Sequence, residues 1–421
     1  MFASDTASVR IGEYYFDSLE DAIKITSDDD IITLTNNIKL DDTLKINKVV
    51  NINLNNYTIE ASKKVFLVEN GHLKLSGKGY IKETKPEYGA IMIIGSQNEG
   101  DTNYSSVTVD NGVVLEGWSG IFINHNKNKA YGVVVNLDGD IKAVNDTSGD
   151  PGAGIYVNGN IKHKDNSPVI NIGDNTKIES TGTGIYAAGY SVYNINGADI
   201  SGYQSGLGIK SGIFNISNSN IYGYGEDKTP TDGNNNGINA SGASIQIESN
   251  PNYKGDISLN IENSVLTSKN SNVIYEYTTK NNDTKVENIS IIDGTYISES
   301  SKDVFKLSNS FIDKHPKFIS GGSFSSSPED YLVSGYSTYL NDSGLYEVSL
   351  NTITTFKTEN SNNNFIYIFL IIVGVLIAGF VSYKFLKKST KKLSWLFWII
   401  NSFFCLEMMA YCQLQTELLY W

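Results

Sequence analysis

The stretch VVVNLDGDI, residues 133–141, carries the fold in miniature. Apolar residues alternate with polar ones, a two-residue Asp-Gly turn intervenes, and a second alternating run follows. The phrase returns as VINIGDNTKI (169–178), VYNINGADI (192–200), IFNISNSNI (213–221), ISLNIENSVL (257–266), NISIIDGTYI (288–297) and KFISGGSF (317–324). The apolar residue before each turn is Leu137, Ile172, Ile195, Ile216, Ile261, Ile291 and Ile319, so the steps are 35, 23, 21, 45, 30 and 28 residues. A unit this short cannot bury its own apolar side. It stacks on copies of itself, and the extra residues fall in loops.

A second phrase runs out of phase with the first: SGIFIN (119–124), GAGIYVNG (152–159), GTGIYAAG (182–189), SGLGIKSG (205–212) and NGINASG (236–242). Its isoleucines alternate with small or polar residues, and its leading glycine marks a tight corner. One corner phrase and one turn phrase per coil predict an all-β chain, a right-handed parallel β-helix. Among 421 residues there are 38 Gly but only 7 Pro, as many short strands and many turns require. The one helical signal in the first 350 residues is SLEDAIKI (18–25), where Ser18 and Asp21 form a capping pattern ahead of a short apolar stripe. This helix is expected to cap the raw end of the solenoid. About a dozen coils at ~4.8 Å each would make a rod on the order of 55 Å long.

Residues 365–383, FIYIFLIIVGVLIAGFVSY, contain no charge. At 1.5 Å per residue they span ~28 Å, close to the thickness of bilayer hydrocarbon, and read as a transmembrane helix. Lys384, Lys387, Lys388, Lys391 and Lys392 follow at once. Positive charge favours the cytoplasmic side, so the β-helix is expected outside and Lys384–Lys392 inside. The segment LSWLFWIINSFFCLEMMA (393–410) reads either as a second span or as a helix in the membrane interface, where Trp395 and Trp398 would suit the headgroup level. The opening MFASDTASVRIGEYYF has neither the basic region nor the apolar run of an export signal. A missing or removed signal is the expectation, because the lysine cluster opposes a tail-anchored orientation.

The resulting organisation is a strand and capping helix (1–30), the β-helix (31–326), a hairpin cap (327–350), a polar linker (351–364), the span (365–383), a basic loop (384–392) and the second hydrophobic segment (393–421). The chain carries 33 basic and 46 acidic residues, and up to Asn364 the counts are 28 and 44. A domain this acidic repels nucleic acid, which is excluded as a partner. Both cysteines, Cys405 and Cys412, follow the span, so the large domain must hold itself together by stacking alone.

Two stretches carry a resemblance. Residues 13–59, EYYFDSLEDAIKITSDDDIITLTNNIKLDDTLKINKVVNINLNNYTI, are similar to the start of bacterial surface proteins with a pectin- or pectate-lyase-like β-helix. Residues 319–348, ISGGSFSSSPEDYLVSGYSTYLNDSGLYEV, resemble the module that closes such helices. The resemblance implies architecture rather than activity, since this fold hosts lyases, hydrolases, esterases and inert adhesins. Lyases of the fold use Arg or Lys as base with Ca²⁺ held by clustered carboxylates. Here Arg10 is the only arginine and precedes the coils, which counts against an acidic-sugar lyase.

A hydrolase needs two carboxylates facing one substrate. The nearest candidates are Asp138, Asp174, Glu262 and Asp293, with Asn196 and Asn218 in the coils between, but Asp and Asn at turns bond to their own backbone and form such rows without catalysis. His72, His125, His163 and His315 lack metal-ligand spacing. Asp232, Asn234, Asn236 and Gly237 match the first half of a calcium loop, but Ala243 stands where the bidentate Glu belongs, and a solvated loop explains them equally. Tyr186, Tyr190, Tyr203, Tyr222 and Tyr224 recur in consecutive coils, either as a sugar-stacking face or as an aromatic ladder, of which packing is the expected role. No catalytic, cofactor-binding or metal residue is assigned. The expectation is a non-catalytic, membrane-anchored surface protein whose rod displays loops for adhesion or for binding glycans or host surfaces. The alternative is a carbohydrate-active lyase or glycoside hydrolase of the same fold.

Overall fold

The computed structural model describes residues 7–124, 129–159, 165–230, 240–279 and 282–351. Three long sheets are built from strands taken in rotation along the chain: a 12-stranded first sheet, a 13-stranded second and a 10-stranded third. Each coil contributes one strand to each, and successive coils pair in parallel, as in a β-helix. The phrase at 133–141 therefore covers two sheets: Val133–Leu137 lies in the first and Asp140–Ala143 in the second. Its Asp-Gly turn bends the chain from one face of the coil to the next and makes no hairpin.

All seven markers stack. Leu137 pairs with Ile172, Ile172 with Ile195, Ile195 with Ile216, Ile216 with Ile261, Ile261 with Ile291, and Ile291 with Ile319. The row extends toward the N-terminus through Val109, Leu75, Ile52 and Ile32. These side chains are buried and belong to one continuous apolar core enclosed by the three sheets. Each fully buried aliphatic side chain stabilises the fold by about 1.5–3 kcal/mol. Within the core, Tyr193 stacks on Phe214 at 4.3 Å and Tyr296 on Phe324 at 4.7 Å.

Four of the turns from first to second sheet use a left-handed residue, Asn175 (φ 70°), Gly197 (φ 73°), Asn218 (φ 50°) or Asn263 (φ 44°), while the Asp138–Gly139 turn manages without one. The corner glycines have a different task. The atoms nearest to a Cβ on Gly120 would all belong to the Ile141 side chain, the first at 2.6 Å; on Gly184 and Gly206 a Cβ would meet Ile200 and Ile221 at 2.6 and 2.5 Å and also the backbone carbonyls of Gly206 and Ser244. The glycine of the third sheet thus makes room for the isoleucine of the second.

Of the five corner phrases, four form third-sheet strands: Ile121–Asn124, Ala153–Asn158, Thr183–Ala187 and Ser205–Ile209. Leu207 pairs with Ile245, so the third-sheet strand of the next coil is Ile245–Ser249, and residues 236–239 of the fifth phrase lie outside the described residues.

Both ends are closed. Strands Val9–Ile11 and Tyr14–Phe16 form an antiparallel pair on the first sheet, beside α1 (Leu19–Ile25), whose Ser18 hydroxyl accepts from the Asp21 N–H at 3.1 Å. At the other end, Tyr336–Leu340 and Tyr346–Leu350 form an antiparallel hairpin on the second sheet. A second short helix, α2 (Asn309–Lys314), was not evident in the sequence; Ser308 caps it. No helix among the described residues is long and apolar enough to cross a membrane. The span, the lysine loop, the second hydrophobic segment and both cysteines lie outside the described residues, as do Asp232, Asn234, Asn236, His125 and His163.

Gly120→Ala should destabilise by about 1–3 kcal/mol through overpacking. Combined with Ile141→Ala it should cost clearly less than the sum of the two single changes in denaturant titrations. Additive effects would disprove the paired role of this glycine.

Candidate functional site

Two of the aligned acids facing one groove would make a hydrolase. These acids lie along the turn between the first and second sheets, and two of them, Asp174 and Asp293, bond to neighbouring residues. Asn196 Nδ2 donates to Asp174 Oδ1 at 2.9 Å, Asn218 Nδ2 to Asn196 Oδ1 at 2.8 Å, and Asn263 Nδ2 to Asn218 Oδ1 at 2.7 Å. Asp293 accepts from the Gly294 N–H at 2.7 Å. Asp138 and Glu262 stand one position earlier, directly after the markers Leu137 and Ile261 and in register with Asn196 and Ser217. Asp174 is thus part of an amide turn ladder, and Asp293 bonds within its own turn.

A second amide ladder lies on the outer face of the first sheet. Asn171, Asn194, Asn215 and Asn260 each donate from Nδ2 to Oδ1 of the asparagine one coil earlier, at 2.9, 2.9, 3.0 and 3.0 Å, beginning on Asn136. Each amide is thereby half satisfied by its neighbour, and all of them point the same way. His72 and His315 are structural: the first meets Ser106 Oγ at 2.8 Å, the second the Val286 carbonyl at 2.8 Å.

The five tyrosines separate. Tyr186 is buried on the outer side of the third sheet, stacked on Tyr156 at 4.5 Å, with Trp118 and Phe122 beside Tyr156. Tyr203, Tyr222 and Tyr224 cluster elsewhere, their ring centroids 5.6 and 6.0 Å apart. The Tyr224 hydroxyl donates to the Ser180 carbonyl at 2.8 Å. Tyr190 packs against the loop at Gly255. No single aromatic face exists.

Ionisable groups meet beside Tyr186. Lys210 and Glu248, aligned in neighbouring strands of the third sheet, form an ion pair at 3.1 Å with both side chains almost wholly buried. The Lys210 ammonium also donates to Tyr253 Oη at 3.1 Å and lies over the Tyr253 ring at 4.3 Å. Glu248 accepts from Asn250 Nδ2 at 3.0 Å. Lys285 donates to the carbonyls of Lys210 and Tyr253, both at 2.7 Å. Burial pulls Lys285 down to about 8, against the opposing pull of Asp256 and Glu248. Burial pushes Tyr156 up to about 12 and Tyr186 higher still. Both amide atoms of the buried Gln246 lack a hydrogen-bond partner.

Two further carboxylates serve the scaffold. Glu276 points into the core where preceding coils place Ile209 and Ile247. It accepts from the hydroxyls of Ser249, Thr278 and Thr284 and from the Ser308 N–H. Glu83 accepts from the N–H groups of Tyr88, Gly89 and Trp118 at a corner, yet burial still raises it above the usual carboxylate range.

The outer face of the second sheet is open and charged. Lys39, Glu60, Lys82, Glu116, Lys142 and Glu179 follow one another in adjacent strands, alternating in sign at every step. Lys82 and Glu116 pair at 2.6 Å. At the first four coils this face forms a groove of about 470 Å³ around Tyr80. Sequence reading missed the ladder, although a lysine or glutamate between the inward residues of each second-sheet strand was there to be read. Comparison with family models, curated proteins and solved structures gives no match.

Lys210→Met should cost about 3–5 kcal/mol, because it leaves Glu248 charged and buried without its partner. Lys210→Met with Glu248→Leu should recover most of that loss in urea titrations. Lys285 also sets a pH dependence. Its folded value lies below the unfolded value near 10.4, so the unfolded chain binds more protons in between and stability rises from pH 8 upward, by at most ~3 kcal/mol. Above pH 10 the raised value of Tyr156 reverses the slope. Melting temperature should therefore peak near pH 10 and lose its rise in Lys285→Gln.

Proposed function

We propose that the chain is a non-catalytic, membrane-anchored surface protein whose right-handed, pectin-lyase-like β-helix is held outside the cell and presents its sheet faces and loops to glycans or other surface molecules. The observation that carries this reading is the fate of the aligned acids. Of the four, Asp174 is bonded into a turn ladder of amides, Asp293 bonds to the backbone of its own turn, and Asp138 and Glu262 lie one position off that row, so no two of them are brought together as a facing pair. On the second sheet every glutamate of the open face stands beside a lysine, so none is isolated in an apolar setting that would make it a general acid. The membrane reading rests on the uncharged stretch 365–383 and the five lysines after it.

A carbohydrate-active enzyme is the second reading, and the third sheet favours it. Lys210, Glu248, Lys285 and the unpartnered Gln246 bring a carboxylate, two amines and a free amide to one face. Their burial stands against access by a polymer.

Protease applied to intact cells should release fragments of residues 7–351. Protection until lysis would overturn the outward orientation. On glycan arrays the full-length protein should bind without releasing reducing or unsaturated ends. Release that disappears in Lys210→Met and in Glu248→Gln would establish the enzyme instead.

A further inference from the structure

The groove on the second sheet lies at the N-terminal edge of that sheet, across four consecutive strands. Its walls hold Lys39, Glu60, Lys82 and Glu116, with Asn37 at the edge and Tyr80 in the floor. Tyr80 is 41% exposed, a large fraction for an aromatic residue on a sheet. Its strand partners on the same outer row are Thr58 and Val114, both smaller, so the ring stands proud of its neighbours.

Charge narrows the ligand. The lining carries two ammonium and two carboxylate groups and is locally neutral, in a chain whose formal net charge is −13. A polyuronate laid along the coils would set a carboxylate near a glutamate at every second step. Nucleic acid would fare worse, with no basic stripe to neutralise its phosphates. A neutral sugar meets no such penalty. Each of its hydroxyls is both donor and acceptor, so it can accept from an ammonium and donate to the adjacent carboxylate. The groups alternate at the ~4.8 Å spacing of parallel strands, close to the length of one sugar ring in an extended glycan. Tyrosine supplies a flat apolar surface for the sugar's C–H face and a hydroxyl at its rim.

We propose that this groove binds neutral oligosaccharides laid along the coil axis, with Tyr80 as the stacking platform and Lys39, Glu60, Lys82 and Glu116 bonding to the ring hydroxyls. The proposal deepens the surface-display reading and rests on it for its biological setting.

The test uses the full-length chain in detergent micelles, titrated calorimetrically with cellohexaose, chitohexaose and laminarihexaose, and with hexagalacturonate for comparison. At least one neutral hexamer should bind, more tightly than the uronate and with little change on raising the salt concentration. Tyr80→Ala should weaken binding about five- to tenfold, the loss expected for one stacking contact. Tyr80→Phe should keep most of the affinity, and Lys82→Gln with Glu116→Gln should lose it severalfold without exposing Tyr80 differently. Asn215→Ala, on the first sheet, should change nothing. Failure of all three neutral hexamers to bind, binding indifferent to both Tyr80→Ala and the Lys82/Glu116 pair, or a preference for the uronate would each overturn the proposal. The two readings fail separately. Glycan-array binding that persists in Tyr80→Ala on a protease-accessible domain discards the groove and keeps surface display. Groove binding by a domain shielded in intact cells does the reverse.

Discussion

The parallel register between successive coils is the constraint from which the rest follows. One coil offers three short strands, each with one apolar side, and has no interior until another coil lies on it. Stability is then a property of interfaces between neighbours. The chain tolerates a 45-residue step between Ile216 and Ile261 because those two residues still pair, and the entropy of a longer loop grows only slowly with its length. What the coils do not tolerate is an open end. The antiparallel pair with α1 at one end and the hairpin 336–350 at the other change strand direction where the stack stops, which ends the repeating template.

A register that aligns the inside aligns the outside as well. Any residue type that recurs at one position of the coil becomes a row, and its neighbours in that row are its own counterparts. Asparagine becomes a one-directional amide chain on the first sheet, and lysine with glutamate becomes an alternating ladder on the second. Each contact in such a row contributes only a few tenths to about 1 kcal/mol. Their effect is to specify register, since a slip of one residue would turn every row toward the core. The same alignment places Asp174 in line with amides, where Asn196 of the next coil donates to it.

How much of this can be read from the sequence depends on distance along the chain. The turn phrase is local and carries its own punctuation, so all seven markers, α1 and the closing hairpin are legible. The corner phrase is legible only where it coincides with a strand. The same letters recur at 236–242, just ahead of Ile245–Ser249, and only pairing with Leu207 reveals Ile245 as the occupant. The charged ladder escapes notice because its members are 21 to 37 residues apart at unequal steps, so no fixed period exposes them. The buried cluster is harder still. Lys210, Glu248 and Lys285 come from three separate coils and share neither motif nor spacing. Six-residue α2 offers too little periodicity to be seen.

The two charged faces differ in one physical respect, and that difference decides where a ligand can act. On the third sheet the charges are out of water. Lys210 and Glu248 offset their desolvation with each other and with Tyr253, Asn250 and the Tyr186 ring, and a polar guest would have to replace those contacts before gaining any. On the second sheet Lys82 and Glu116 remain 40% and 22% exposed. Their mutual attraction is weak in water, so exchanging it for bonds to a hydroxylated ligand costs little. Tyr80 adds apolar area that water covers poorly. A polar ligand would therefore displace more bonds at the buried cluster than at the exposed ladder.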